Sequence, residues 1–342
     1  MSNHYQGSTT VNKWADHYFD IYVADKVSDG VLTDRKSIYK NHIAPRIGAL
    51  KIRDITSGHC QNIINNTSGL SRDRINKCCQ LMYNMFRKAK TEKLIYENPA
   101  EDLNRPQAED GHGRACTMQE RALILMTAEE HRAGLWIRTI LTCGFRPGET
   151  DYFLGKHINY DAGLIYIAGT KSEAAKRIVP APKELLNDLQ ALGRKPEEYI
   201  FQNSYGYQMR KSSRAKLWNS FKRAMNIKAG CKVYRNQLQK PYMVAEDLVP
   251  YCCRHSFATD LKDANIPFRI RQELLGHSQG NVTDRYTHRS ETSLKIATEL
   301  LNKFRVTQSE EIGEMKKQII KNGYKSNEVF SEDLTHKFFP DL

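Results

Sequence analysis

Residues 158–182, INYDAGLIYIAGTKSEAAKRIVPAP, decide the fold class. Two runs rich in Ile, Tyr and Val flank turn residues at YDAG (160–163) and again at GTKSEA (169–174), a pattern that predicts a small antiparallel meander. No other window carries a comparable strand signal, and both flanks have helical period. Upstream, TMQE (117–120) is a capping box in which Thr117 accepts from the helix's free N–H groups while Glu120 reaches back. It opens the helix RALILMTAEEHRAG (121–134), and the almost wholly apolar GLWIRTILTCG (134–144) then ends at Gly144. Downstream, helix returns in CRHSFATDLKDA (253–264), PFRIRQELLG (267–276) and TSLKIATELLNKF (292–304). The chain is therefore mainly α with a small antiparallel β-sheet.

Farther upstream, TTVNKWADHYFDIYVADK (9–26) sets Val11, Trp14, Tyr18, Ile21 and Tyr22 at helical spacing behind a threonine cap. SRDRINKCCQLMYNMFRKAK (71–90) repeats the device, with Ser71 as cap and Ile75, Cys79, Met82, Met85 and Phe86 along one stripe. Its other face carries Arg72, Arg74, Lys77, Arg87, Lys88 and Lys90. Pro99, Pro106 and the run AEDGHGRACT (108–117) read as an exposed linker. Single cores stop growing near ~250 residues, so 342 residues imply two domains. The expected division is a helical domain at 9–104, a linker at 105–116, a second domain at 117–305 and a polar tail at 306–342, in which SEEIGEMKKQIIKNG (309–323) can form one more helix.

Lys and Arg outnumber Asp and Glu by 52 to 39, a net charge of +13, so the first partner to consider is polyanionic. The window 210–240 holds ten Lys or Arg and no acid, where ordinary surfaces mix signs; it is the best local evidence for a nucleic-acid face. A membrane fits less well, because no stretch approaches the ~18 apolar residues of a spanning helix and the N-terminus lacks a signal-peptide core. The expected location is the cytoplasm, in association with the nucleoid. The eight cysteines (60, 78, 79, 116, 143, 231, 252, 253) include no C-x-x-C, so zinc-ligand spacing is absent and reduced thiols packing as small hydrophobes are expected. Neither metal nor cofactor is implied.

Breaking a phosphodiester without a metal calls for guanidinium forks on the non-bridging oxygens, a nucleophile in line with phosphorus, and an acid for the departing oxygen. Candidates sit at the sharpest local features. Arg146 in CGFRPGE follows an apolar helix, with Glu149 near enough to orient it. Arg254 in YCCRHSFAT lies in an otherwise apolar or small run, where an unpaired charge is costly. Lys171 stands at a hairpin tip, and LLGHSQGNVTDRYTH (274–288) adds His277 and Tyr286. Taken singly each has a structural explanation, and Tyr286 is either one more surface aromatic or a nucleophile.

Taken in order, Arg146 in TCGFRPGE, Lys171 in GTKSEAAKRIVP, Arg254 in YCCRHSFATDL, His277 in LLGHS and Tyr286 in YTH resemble the tyrosine recombinases, the phage-integrase family of site-specific DNA recombinases. The resemblance covers most of the chain, with 9–104 similar to the family's core-binding domain and the following domain to its catalytic domain. It implies that Tyr286 attacks the scissile phosphate to give a 3′-phosphotyrosyl bond, that Arg146 and Arg254 clamp the phosphate, that Lys171 protonates the leaving oxygen and that His277 hydrogen-bonds the phosphate. It also implies a homotetramer on two DNA duplexes, with a C-terminal element docking on the neighbouring subunit, and accessory directionality or DNA-bending proteins. The sequence departs from the family at Tyr251, three positions before Arg254, where a histidine is usual. A phenol donates a hydrogen bond but is a poor proton acceptor near neutral pH, so base assistance would fall to His277 or water. His255 reads as structural. Integration and excision of a mobile element is the expected task; a DNA-relaxing enzyme of the type IB topoisomerase kind and a catalytically weak DNA-binding regulator are the alternatives.

Overall fold

The computed structural model describes residues 8–67, 69–107, 113–169, 175–276 and 291–324. The chain divides into two compact units, Met1–His112 and Gly113–Leu342.

Among the described residues, the regular elements of the first unit are helices: α1 (Val11–Tyr18), α2 (Asp29–Ile38), α3 (Ala44–Ile47), α4 (Ser57–Asn65) and α5 (Arg72–Thr91). Thr10 caps α1 by accepting from the Lys13 amide, and Ser71 caps α5 by accepting from that of Arg74. Trp14 is fully buried, and its indole N–H reaches the Met85 carbonyl at 3.1 Å, which ties α1 to α5 without stranding a polar group. The apolar stripe of α5 is buried as its spacing predicts. Ile21 is not: it is 56% exposed. Beyond Tyr18 the helix widens into a π-type turn (Phe19–Val23), which shifts the angular register and gives the core Phe19 and Val23 instead. Part of the basic face of α5 is engaged within the unit, with Arg74 and Lys77 on Asp34 of α2 and the Lys88 ammonium 4.8 Å from the Tyr22 ring centre.

The second unit runs α6 (Met118–Ala128), α7 (Gly134–Cys143), β1 (Ile158–Asn159), β2 (Leu164–Ile167), β3 (Arg177–Pro180), α8 (Lys183–Ala191), α9 (Lys211–Lys228), β4 (Val233–Tyr234), β5 (Gln237–Leu238), α10 (Pro250–Asp263), α11 (Phe268–Leu275) and α12 (Glu291–Asn322). The predicted meander is an antiparallel sheet of order β1-β2-β3, with Ile165 opposite both Ile158 and Val179, and Ile167 opposite Arg177. Ile165, Ile167 and Val179 face the core while Tyr166 and Ile178 face outward, the alternation of a half-buried sheet. Helix α7 is central and packs against α10, burying Trp136, Ile137, Ile140 and Leu141. A second hairpin, β4–β5, turns through Arg235 and Asn236, both at positive φ; its strands are only two residues long, too short for an alternation signal.

Thr117 and Glu120 form the predicted capping box. All eight cysteines are free and buried. Helix α12 is longer than its sequence pattern suggests and passes unbroken through position 305. Leu301, Ile312 and Ile319 are buried, with Phe304 and Met315 packed beside them. This three-to-four-residue rhythm crosses the polar stretch and lays the helix along α6. Among the described residues, no helix is long and apolar enough to cross a membrane.

Candidate active site

Two helix ends and a strand build the site. Helix α7 stops at Gly144 in the left-handed conformation (φ 66°), and α11 stops at Gly276 in the same way (φ 63°). Both turns leave carbonyls without helical partners, and these face the guanidiniums. Arg254, on α10 and only 3% exposed, donates to the carbonyls of Gly144 and Leu275. Arg146, just past the α7 cap, donates to the Gly276 carbonyl at 3.0 Å. The partial negative charge of two helix C-termini thus offsets part of the cost of placing cations here. Gly144 is required twice over, because a Cβ there would lie 2.1 Å from the Phe257 ring.

Glu149 orients Arg146. Its carboxylate accepts from the Arg146 amide at 2.7 Å and from Nη1 at 2.8 Å. It also binds a second guanidinium, that of Arg177 on β3, at 3.0 and 2.7 Å. Arg177 is fully buried and shares the Gly144 carbonyl with Arg254. Burial pushes the Glu149 carboxyl up, but Arg177 and then Arg146 outweigh it and hold the group below its ordinary range. The Arg254 guanidinium is lowered to about 10, first by burial and then by the charges of Arg177 and Arg146. Two guanidiniums on one carboxylate, with Arg254 a third beside them at the shared Gly144 carbonyl, leave a surplus of positive charge, and Arg146, with its side chain 28% exposed, is the member open to solvent. Such a cluster receives an anion. The turn that carries Arg146 is braced by Thr150, which donates to the Pro147 carbonyl and accepts from the Trp136 indole.

Tyr251 lies one turn before Arg254 on α10, 41% exposed, with its ring edge-on to that of His255 at 5.1 Å. His255 is half-buried, and burial followed by the Arg254 charge lowers its basicity. Of the six catalytic candidates, Arg146, Tyr251 and Arg254 are among the described residues, whereas Lys171, His277 and Tyr286 lie outside them. Arg146 and Arg254, 108 positions apart, converge on the same two helix ends.

Sequence reasoning passed over Arg177. A signal was present: strand alternation puts Arg177 on the same face as Val179, and a guanidinium on a core face needs a buried carboxylate. Six of the ten cations of the basic window are engaged within the unit: Arg214 with Asp151, Lys222 with the carbonyls of Glu246 and Leu248, Arg223 with Asn236, Lys228 with Glu130, and Arg235 and Lys240 over the rings of Tyr234 and Tyr242. Arg210, Lys211, Lys216, Lys232, Arg235 and Lys240 are exposed. The Arg214–Asp151 pair brings the first turns of α9 next to the Arg146 turn, so basic surface continues from the guanidinium cluster.

Comparison with known proteins agrees with this geometry. The profile of the phage integrase family matches residues 116–293, and that of the phage integrase N-terminal SAM-like domain matches residues 10–68. Tyrosine recombinase XerA of Thermococcus kodakarensis is 30% identical over 208 residues, which span 59% of this chain and 68% of the relative. Tyrosine recombinase XerD of Chlorobaculum tepidum is 28% identical over 222 residues, 60% of this chain and 67% of the relative. Among solved structures, the fold is similar to the Tn1549 transposon integrase in complex with transposon right end DNA (TM-score 0.62, 18% identity, 86% of this chain and 100% of that one). It is also similar to a lambda integrase tetramer bound to a Holliday junction (TM-score 0.63, 20% identity, 82% and 81%). Paired arginines at two glycine-capped helix ends, a basic flank and the matched sequence profiles lead to one conclusion: this chain belongs to the phage integrase family, the tyrosine recombinases.

Proposed function

We propose that this chain cleaves and rejoins duplex DNA at specific sites through a covalent 3′-phosphotyrosyl intermediate. The observation that carries the reading is the convergence of Arg146 and Arg254 on the carbonyls of Gly144, Leu275 and Gly276, the last directly before His277. A scissile phosphate held by both guanidiniums is attacked by the Tyr286 oxygen. The new bond joins that oxygen to phosphorus, the bond from phosphorus to the 5′ oxygen breaks, and Lys171 supplies the proton that leaves the 5′-hydroxyl. The phenol's own proton passes to His277 or to water, and His277 hydrogen-bonds the phosphate. Tyr251 serves as a hydrogen-bond donor to the phosphate rather than as a base. The phosphotyrosyl link conserves the bond energy, so the 5′-hydroxyl of a partner strand reverses the reaction and exchanges strands without ATP.

The working unit is a homotetramer on two DNA sites, a reading supported by the lambda integrase tetramer on a Holliday junction, and the residues after 305 contribute to subunit contact. Integration and excision of a mobile element is the biological task, supported by likeness to a transposon integrase. Accessory directionality or DNA-bending proteins set its direction, and the protein works in the cytoplasm on the nucleoid. The test uses a nicked suicide substrate carrying the cognate site. A covalent protein–DNA adduct that disappears in Tyr286→Phe is expected. Binding without an adduct in the parent chain would indicate a regulator, and plasmid relaxation without joining of two sites would indicate a topoisomerase.

A further inference from the structure

We infer that Arg177 is a positioning residue for strand cleavage: by occupying Glu149 and the Gly144 carbonyl, it keeps the Arg146 guanidinium available to the phosphate and holds Arg254 in line with it. The inference rests on the reading of Arg146 and Arg254 as the phosphate clamp. Glu149 is 3% exposed, and its two oxygens receive both guanidiniums. Without Arg177, a buried carboxylate would have Arg146 as its only guanidinium partner. Arg146, whose Nη1 already donates to Glu149, would then be drawn further onto it and away from solvent, since an under-compensated carboxylate in the interior is costlier than a lost contact with DNA. The Gly144 carbonyl would lose one of its two arginine donors, leaving Arg254 as the other.

Charge favours the same role. Three guanidiniums and one carboxylate sum to +2. A phosphodiester carries −1 at rest and approaches −2 as the attacking oxygen adds, so the cluster matches the transition state better than the ground state. Arg177 contributes one of those positive charges while itself fully buried. It also links the cluster to the Lys171 hairpin, because its Nη1 holds the Ala175 carbonyl at 2.9 Å, two residues before it and at the base of that loop. Among the described residues, its buried Nε has no acceptor. A pair selected only for stability would avoid that penalty.

The experiment is single-turnover cleavage of the suicide substrate at saturating protein, with DNA affinity and urea midpoints measured on the same full-length chains. Arg177→Met is expected to lower the cleavage rate about 10²–10³-fold while changing DNA affinity less than about threefold. Arg177→Lys, which keeps the charge but loses the fork, is expected to retain a rate between those of the parent and Arg177→Met. Glu149→Gln added to Arg177→Met is expected to recover at least about tenfold, because the neutral amide still accepts from Arg146 but no longer captures it. A merely structural role would give no such recovery. If Arg177→Met does not fold, the double variant, which removes the buried pair as a unit, carries the test, and a loss there as complete as that of Tyr286→Phe overturns the inference. Parent-like cleavage by Arg177→Met, or a loss that Glu149→Gln leaves untouched, also overturns it. If the parent chain forms no Tyr286-dependent adduct, the clamp reading fails first and the inference falls with it.

Discussion

Gly144→Ala is the sharpest perturbation available, because one added methyl group meets two independent obstacles. Gly144 sits at φ 66° and ψ 29°. An L-residue held in the left-handed region costs ~1–2 kcal/mol. The new Cβ would also lie 2.1 Å from Cδ1 and 2.7 Å from Cε1 of Phe257, so the ring on α10 must move. Overpacking of that kind costs ~1–3 kcal/mol. The sum, ~2–5 kcal/mol, is a large share of a domain stability of ~5–15 kcal/mol. Urea unfolding followed by tryptophan fluorescence reads it, since Trp136 lies on the same helix and Trp218 belongs to the same core. Phe257→Leu in the same chain should relieve the steric part and leave the backbone part, giving a coupling of ~1–3 kcal/mol in the double-mutant cycle. Cleavage should fall as well, because the Gly144 carbonyl holds both Arg177 and Arg254, and a displacement of ~1 Å near reacting groups costs ~10²-fold. A Gly144→Ala chain within ~0.5 kcal/mol of the parent that cleaves at the parent rate would refute the reasoning.

Two further outcomes follow from buried carboxylates. Glu120 is fully buried and accepts from Arg114 at 2.6 and 2.7 Å and from the Thr117 amide at 2.9 Å. Glu120→Ala should cost ~3 kcal/mol, at the low end for a broken buried pair because Arg114 keeps Asp247, and Thr117→Ala should still cost ~1 kcal/mol in the same background, because the Thr117 hydroxyl accepts from the backbone N–H of residue 120. Glu149 is held below its ordinary carboxylate range, so its contribution to stability is complete above the unfolded pKa and is lost as pH falls through the lower folded value. The difference between the urea midpoints of the parent and Glu149→Gln should therefore shrink as pH falls below the ordinary carboxylate range and through the lower folded value; a difference that stays constant would contradict the pairing.

Legibility in the sequence followed how local each cause is. The caps at Thr10, Ser71 and Thr117 and the stripe of α5 depend on residues a few positions apart, and their patterns predicted them. The meander was visible because β2 and β3 alternate around recognisable turns. Ile21 misled because a single wide turn rotates the helix out of phase, and no residue type signals that turn. The long α12 was read as two pieces because polar residues interrupt the apolar row near 305–311, although the row resumes in phase.

For the site, the sequence by itself singled out the candidate residues: the motifs around Arg146 and Arg254, the basic window and the departure at Tyr251 are linear features. Only the tertiary structure decided how the guanidiniums are held, because their partners are backbone carbonyls at two helix ends and one carboxylate shared by Arg146 and Arg177. A carbonyl is common to every residue and leaves no mark in the sequence. Which one a side chain reaches is set by the packing of α7, α10, α11 and β3, which closes gaps of 28 to 130 residues along the chain.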